Sequence, residues 1–184
     1  MVKQISLKEI IESERKQEFL TAIANFKCQD DDVEKFLKEK AVDFDRRNRS
    51  RTYLLVDIQH SVQANEIIIL GYYTLTMKSL LFGIGVSKSA VKKIDGFRPD
   101  VTAAEAVLIG QLGKNSNYKD KIDGKSIIDM ALSAVYAVQN IIGGRIVFLE
   151  CQNNEKVVNF YENNGFMFLQ NNFKNDYLQM IRYL

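Results

Sequence analysis

Histidine is nearly missing from this chain: His60 is the only one. That sets aside Ser-His-Asp triads, Cys-His dyads and multi-histidine metal sites, and no metal is expected. Acid–base chemistry then falls to Tyr, Glu, Asp, Cys, Lys or water. Cysteine is scarce as well. Cys28 and Cys151 are too few and too far apart for a disulfide framework or a zinc site, and read as reduced structural thiols. Pro99 is the only proline, and there is no repeat, low-complexity tract or linker. No apolar run approaches the ~20 residues of a membrane span. The N-terminus, MVKQISLKEIIESERK, lacks the apolar core of a signal peptide. A cytoplasmic location and no membrane partner are expected.

What remains is an ordinary globular composition over 184 residues, 46% hydrophobic and 26% charged, which suggests a single domain spanning 1–184. The balance of 25 basic and 23 acidic residues neither demands nor excludes nucleic acid. Periodicity predicts a helix over Leu7–Phe26 and a second opening at Asp30, Asp31 and Asp32 and running to Phe44. Strands are predicted at 51–57, 67–77, 102–114 and 145–150, and at MFLQ and YLQMIRYL near the end. A short helix is predicted at 87–96, a long one from Gly124 to Ile142, and one from Asn154 stopped by Gly165. This order reads as mixed α/β or α+β with a central βαβ unit.

The stretch YKDKIDGKS (118–126) ends as a phosphate-binding P-loop ends. That loop needs G-x-x-x-x-G-K-S/T, and five residues before Gly124 stands Lys119, so the triphosphate reading fails. Two readings stay open. In one, Asp123 caps a helix and the lysines are solvated. In the other, Lys114, Lys119, Lys121 and Lys125 and a helix N-terminus form an anion cradle, with the Asp123 carboxylate opposing it.

Loop and following helix together resemble the GNAT superfamily of acetyl-CoA-dependent N-acetyltransferases. Its members carry R/Q-x-x-G-x-G/A between a strand and a long helix. Lys119-Asp120-Lys121-Ile122-Asp123-Gly124 falls in that frame, with only Gly124 matching. A second family pattern, N-x-x-A-x-x-F/L-Y-x-x-x-G-F, is matched from Asn154 to Phe166 except at Val157. Phe26-Lys27-Cys28, Gly71-Tyr72-Tyr73-Thr74-Leu75 and Ile109-Gly110-Gln111-Leu112-Gly113-Lys114 resemble the branch that includes toxin–antitoxin toxins.

The resemblance implies a mostly antiparallel sheet flanked by helices, with acetyl-CoA as cofactor. It implies pantetheine contacts from Gln111, Leu112 and Gly113. Pyrophosphate contacts fall to Lys114 and the loop Lys119, Asp120, Lys121, Ile122, Asp123, Gly124 and Lys125, and further cofactor contacts to Asn154 and Phe160. Tyr161 becomes the general acid that protonates the leaving thiolate. Glu105 or Glu150 is a candidate base acting through water. Arg46, Arg47, Arg49 and Arg51 cluster at a helix end, where cations are also favoured by the dipole. Arg46 and Arg49 read as phosphate contacts, and Tyr72 and Tyr73 as lining for an acceptor groove. Expected partners are acetyl-CoA, an amine acceptor such as aminoacyl-tRNA, an antitoxin and a second copy of the chain. The alternatives are a small-molecule or protein amine acceptor, or a non-catalytic module with a degenerate loop.

Overall fold

The computed structural model describes residues 1–64 and 66–184. Its strands are β1 (Val2–Ser6), β2 (Arg51–Asp57), β3 (Ile69–Leu81), β4 (Ala103–Lys114), β5 (Ile146–Gln152), β6 (Met167–Asn171) and β7 (Tyr177–Tyr183). They form one seven-stranded sheet in the order β1-β2-β3-β4-β5-β7-β6. β1–β2, β2–β3, β5–β7 and β6–β7 pair antiparallel; β4 and β5 pair parallel. A parallel pair needs a crossover, and the long helix α7 (Gly124–Ile142) supplies it, as the βαβ reading expects. The other helices are α1 (Leu7–Glu12), α2 (Lys16–Ala24), α3 (Asp31–Lys35), α4 (Ala41–Arg46), α5 (Ile58–Ala64), α6 (Lys88–Asp95) and α8 (Glu155–Asn163). No described helix is long and apolar enough to cross a membrane.

Where the sequence suggests a single domain, the chain clusters into two compact units. One comprises Met1–Thr76 and Gln111–Ala131; the other comprises Met77–Gly110 and Leu132–Leu184. β3, β4 and α7 each run through both. The first unit is built on Leu7, Ile10, Phe19, Ile23, Phe26, Leu37, Leu54, Val56, Ile69 and Tyr72, from helices and strands together. The second is built on Leu80, Ile94, Ala106, Leu108, Ile146, Phe148 and Ile181. β5 is buried along most of its length, which is why RIVFLE reads as a continuous apolar run rather than an alternation.

Two predicted elements come out differently, and one strand is not predicted. The expected helix over Leu7–Phe26 is two helices, broken where Ser13 turns extended and gives both its N–H (3.1 Å) and its hydroxyl (2.8 Å) to the carbonyl of Ile10. The strand β1 before them escapes the reading because it is five residues long and pairs only with β2. The second helix is interrupted by a π-helical turn at Phe36–Lys40 between α3 and α4. Its start is as expected: the Asp30 carboxylate accepts from the N–H groups of Asp32 (2.9 Å) and Val33 (3.2 Å).

Two glycines are required by close approach. A Cβ on Gly71 would lie 2.8 Å from the carbonyl oxygen of Gly113 and 2.8 Å from Ile127. One on Gly113 would lie 2.6 Å from the Tyr72 ring and 2.8 Å from Val33. β3 and β4 therefore meet backbone to backbone just before the loop that leads to α7.

Candidate active site

The loop between β4 and α7 is held from below by a residue that sequence reasoning passes over. Asn115 is 3% exposed and directly follows β4. Its amide donates to the carbonyl of Ile69 (2.7 Å), and its carbonyl oxygen accepts from the N–H groups of Asn117 (3.1 Å) and Lys27 (3.4 Å). Its own N–H donates to Leu70 (2.8 Å), and Ser116 N–H donates to Lys27 (2.8 Å). The only signal in the sequence is an Asn just past a strand, where its side chain can organise a turn.

The loop then makes a 3₁₀ turn at Ser116–Tyr118, closed by Tyr118 N–H to Asn115 (3.1 Å) and Lys121 N–H to Tyr118 (3.0 Å). Ile122 is 8% exposed, so its side chain pins the loop to the core instead of opening it as the family glycine does. At the start of α7, the Asp123 carboxylate accepts from Ser126 N–H at 2.7 Å. Ser126 holds that carboxyl below its ordinary range through its side chain and its N–H; Lys114 and Lys125 add to the effect, and burial works weakly against it. The helix-cap reading of Asp123 is therefore realised. Internal bonds take the N–H groups of Asn117, Tyr118, Lys121 and Ser126. Lys119, Asp120, Lys121 and Lys125 are exposed, Gly124 and Lys114 half-buried. Lys125 pairs with Asp129 at 2.5 Å. Before the loop, Gln111 and Leu112 are half-buried and Gly113 is buried.

The segment beside α3 is fixed by Glu34. Its carboxylate accepts from Lys38 (2.5 Å), Lys27 (3.1 Å) and the N–H of Cys28 (2.9 Å). Lys38 and the Cys28 N–H, with Lys27 assisting against burial, hold it down at about 2.

In the second unit, α8 begins where Asn154 accepts from Lys156 N–H (3.0 Å), so the Asn of the family pattern serves here as an N-cap. Gly165 closes the helix at φ 80°, also as expected. Tyr161 is half-buried, with Phe160 5.0 Å and Phe166 5.8 Å away in edge-on ring contacts. The two candidate bases differ. Glu105 is exposed and accepts a short hydrogen bond from the Ser79 hydroxyl. Glu150 is partly buried, paired with Lys78 at 3.3 Å and bonded by the Gln179 amide at 2.9 Å. Gln179 in turn is bonded by Gln170 at 2.6 Å. Glu150 is the less exposed of the two and is held between Lys78 and Gln179.

The acceptor-side residues need correction. Tyr72 and Tyr73 are both 0% exposed. Alternation does send them to opposite faces, but both faces are covered there. Tyr72 donates to the carbonyl of Val33 (2.5 Å) and Tyr73 to the Gln4 side chain (2.6 Å), and burial raises both phenols well above their usual range. They are core residues and line no open groove. At the end of α4, Arg46 and Arg49 are exposed, and the Arg49 guanidinium lies 4.6 Å from the Phe44 ring centre. Arg47 pairs with Asp43 (2.7 Å) and Arg51 with the buried Asp45 (3.1 Å), so among the described residues only part of the expected arginine cluster faces outward unengaged by a carboxylate.

This arrangement of strands and helices, with a loop-capped helix crossing between two parallel strands, is the GNAT fold. Solved structures bear this out across nearly the whole chain. A complex of AtaT with acetyl-methionyl-tRNAfMet matches with a TM-score of 0.72 at 22% identity, covering 97% of this chain and 94% of that one. A tyrosine-to-phenylalanine mutant of KacT matches with a TM-score of 0.69 at 23% identity, covering 97% and 93%. AtaTR bound with acetyl-CoA matches with a TM-score of 0.68 at 23% identity, covering 97% and 92%. No family model matches the sequence, and no curated protein does.

Proposed function

We propose that this protein is an acetyl-CoA-dependent N-acetyltransferase whose acceptor is the amino group of an aminoacyl-tRNA. The observation that carries this reading is the fold match, over 97% of the chain, to AtaT in forms solved with acetyl-CoA and with acetyl-methionyl-tRNAfMet. Residues of this chain support it at each step. Backbone groups of Gln111, Leu112 and Gly113 hold the pantetheine arm as an added strand would, and an N–H there polarises the thioester oxygen. Lys114, Lys119, Lys121, Lys125 and the start of α7 face the diphosphate, Gly124 allowing close approach. Asn154 and Phe160 place α8 along the cofactor.

The amine nitrogen attacks the acetyl carbonyl, the C–N bond forms and the C–S bond breaks. The amine's proton leaves through water to Glu150, and Tyr161 donates its phenolic proton to the departing thiolate. Arg46 and Arg49 supply cations for the tRNA backbone. An antitoxin partner and a homodimer accompany this reading.

The experiment is a calorimetric titration with acetyl-CoA. Wild type is expected to bind in the micromolar range and Gly124→Trp to fail. Tyr161→Phe binds normally but loses turnover on aminoacyl-tRNA by roughly 10²–10⁴-fold. Growth arrest on expression, and a steep salt dependence of acceptor binding, separate tRNA from a small-molecule or protein amine. One observation favours a second reading, a non-catalytic module: Ile122 is buried and Asp123 occupies an amide that a phosphate would use. Absence of acetyl-CoA binding by wild type at physiological salt selects that reading.

A further inference from the structure

The single histidine lies against the loop just described. The Asp57 carboxylate, at the end of β2, is 2.5 Å from Nδ1 of His60, and Nε2 of His60 is 3.3 Å from Nζ of Lys121. Asp57 is 5% exposed, caps α5 through the N–H of His60 (3.3 Å), and lies 3.5 Å from the amino group of Met1. Burial pushes its carboxyl up, but the N–H and ring of His60 and the Met1 amino group outweigh that and hold it below its usual range. An Nδ1–H donating to the Asp57 carboxylate leaves Nε2 to accept from the Lys121 ammonium.

A salt bridge on a protein surface rarely needs a buried aspartate behind it. Here the buried group orients a ring, and the ring orients a loop lysine whose neighbours 122 and 123 have replaced the family's phosphate-binding chemistry with a core anchor and a carboxylate. We propose that Asp57 and His60 are positioning residues for diphosphate binding: Asp57 orients the ring and the ring holds Lys121 at the loop, so that coenzyme A binds less tightly when the ring is lost. This inference rests on the acetyltransferase reading, because it takes coenzyme A as the ligand.

Affinity for coenzyme A, measured by calorimetry at neutral pH, reads this hold. His60→Leu, which keeps neither contact, is expected to weaken binding by roughly three- to tenfold, and His60→Gln, which keeps hydrogen-bonding capacity toward both neighbours, to restore it. Lys121→Met should weaken binding to a similar extent, and His60→Leu added to Lys121→Met should cost nothing further, because the ring acts through that lysine. Single losses that add in the double variant, or full affinity in His60→Leu, overturn the proposal while leaving the acetyltransferase reading intact. No binding of coenzyme A to wild type overturns both.

Discussion

Asp123 is expected to work for the helix and against the ligand, and two substitutions separate the roles. Its carboxylate accepts from Ser126 N–H at 2.7 Å, and it stands in the loop proposed to face the diphosphate. Asn caps a helix about as well as Asp. Asp123→Asn therefore loses only the favourable charge–dipole interaction, about 0.3–1 kcal/mol on an exposed helix end. Asp123→Ala loses the cap as well, about 1 kcal/mol more. Binding should move the other way. A unit negative charge roughly 6 Å from a diphosphate in a nearly aqueous environment opposes binding by about 0.7 kcal/mol per phosphate charge. Its removal tightens coenzyme A binding about three- to tenfold at low salt, and the gain shrinks as salt screens it. Asp123→Ala also frees the Ser126 N–H for a phosphate oxygen. Stability by urea denaturation should thus fall from wild type to Asn to Ala, while affinity by calorimetry rises in that order. The pH sign follows from the depressed carboxyl: the cap contributes at neutral pH, and the stability gap between wild type and Asp123→Ala closes as pH falls through the carboxylate range. If Asp123→Asn leaves affinity unchanged, or weakens it, the loop does not face the phosphates and the cradle is wrongly placed.

Gly113→Ala drives a methyl group into a Tyr72 ring that is fully buried and tied to Val33, so it should cost about 1–3 kcal/mol or more in denaturant stability; a loss below about 0.5 kcal/mol means the two strands can part there. Glu34→Gln removes the acceptor shared by Lys27, Lys38 and the Cys28 N–H, and should lower stability by about 1–2 kcal/mol at neutral pH. Because the folded carboxyl sits at about 2 against an ordinary 4.5, that gap is present at neutral pH and closes as pH falls toward about 2; a gap that persists at low pH assigns the effect to packing instead.

What could be read from the sequence was whatever a local pattern encodes. β2 was readable to the residue as RTYLLVD, α7 by its apolar stripe, and α8 by Asn154 at one end and Gly165 at the other. These elements carry their own start and stop chemistry. β1 and α5 were not read: β1 is only a short edge strand, and α5 is seven residues long, with the local cap from Asp57 to the N–H of His60 as its signal. Burial of Tyr72 and Tyr73 was half readable: alternation predicts opposite faces, but only the chain folded over each face decides that both are covered. The site divides in the same way. Asp123 as a cap is a local fact and was legible. Asn115, whose partners lie 46 and 88 residues away, and the Asp57–His60–Lys121 chain are products of tertiary contact and were not.

The departures at 122 and 123 follow one physical logic. An amide cradle binds a diphosphate through fixed dipoles at short range, so its strength depends little on salt. Here Ile122 gives the loop a core anchor, Asp123 takes one amide for the helix, and three more N–H groups close the 3₁₀ turn and its neighbours. On the proposed reading, the remaining attraction comes from lysine side chains, which are long, mobile and screened. Such a site holds its ligand less rigidly and responds more to ionic conditions, unless something immobilises a lysine. The Asp57–His60 pair does that for Lys121, with the entropy of one side chain already spent before the ligand arrives. A loop built this way trades the salt tolerance of backbone amides for an attraction that ionic strength adjusts, and the salt slope of coenzyme A binding is where that trade becomes visible.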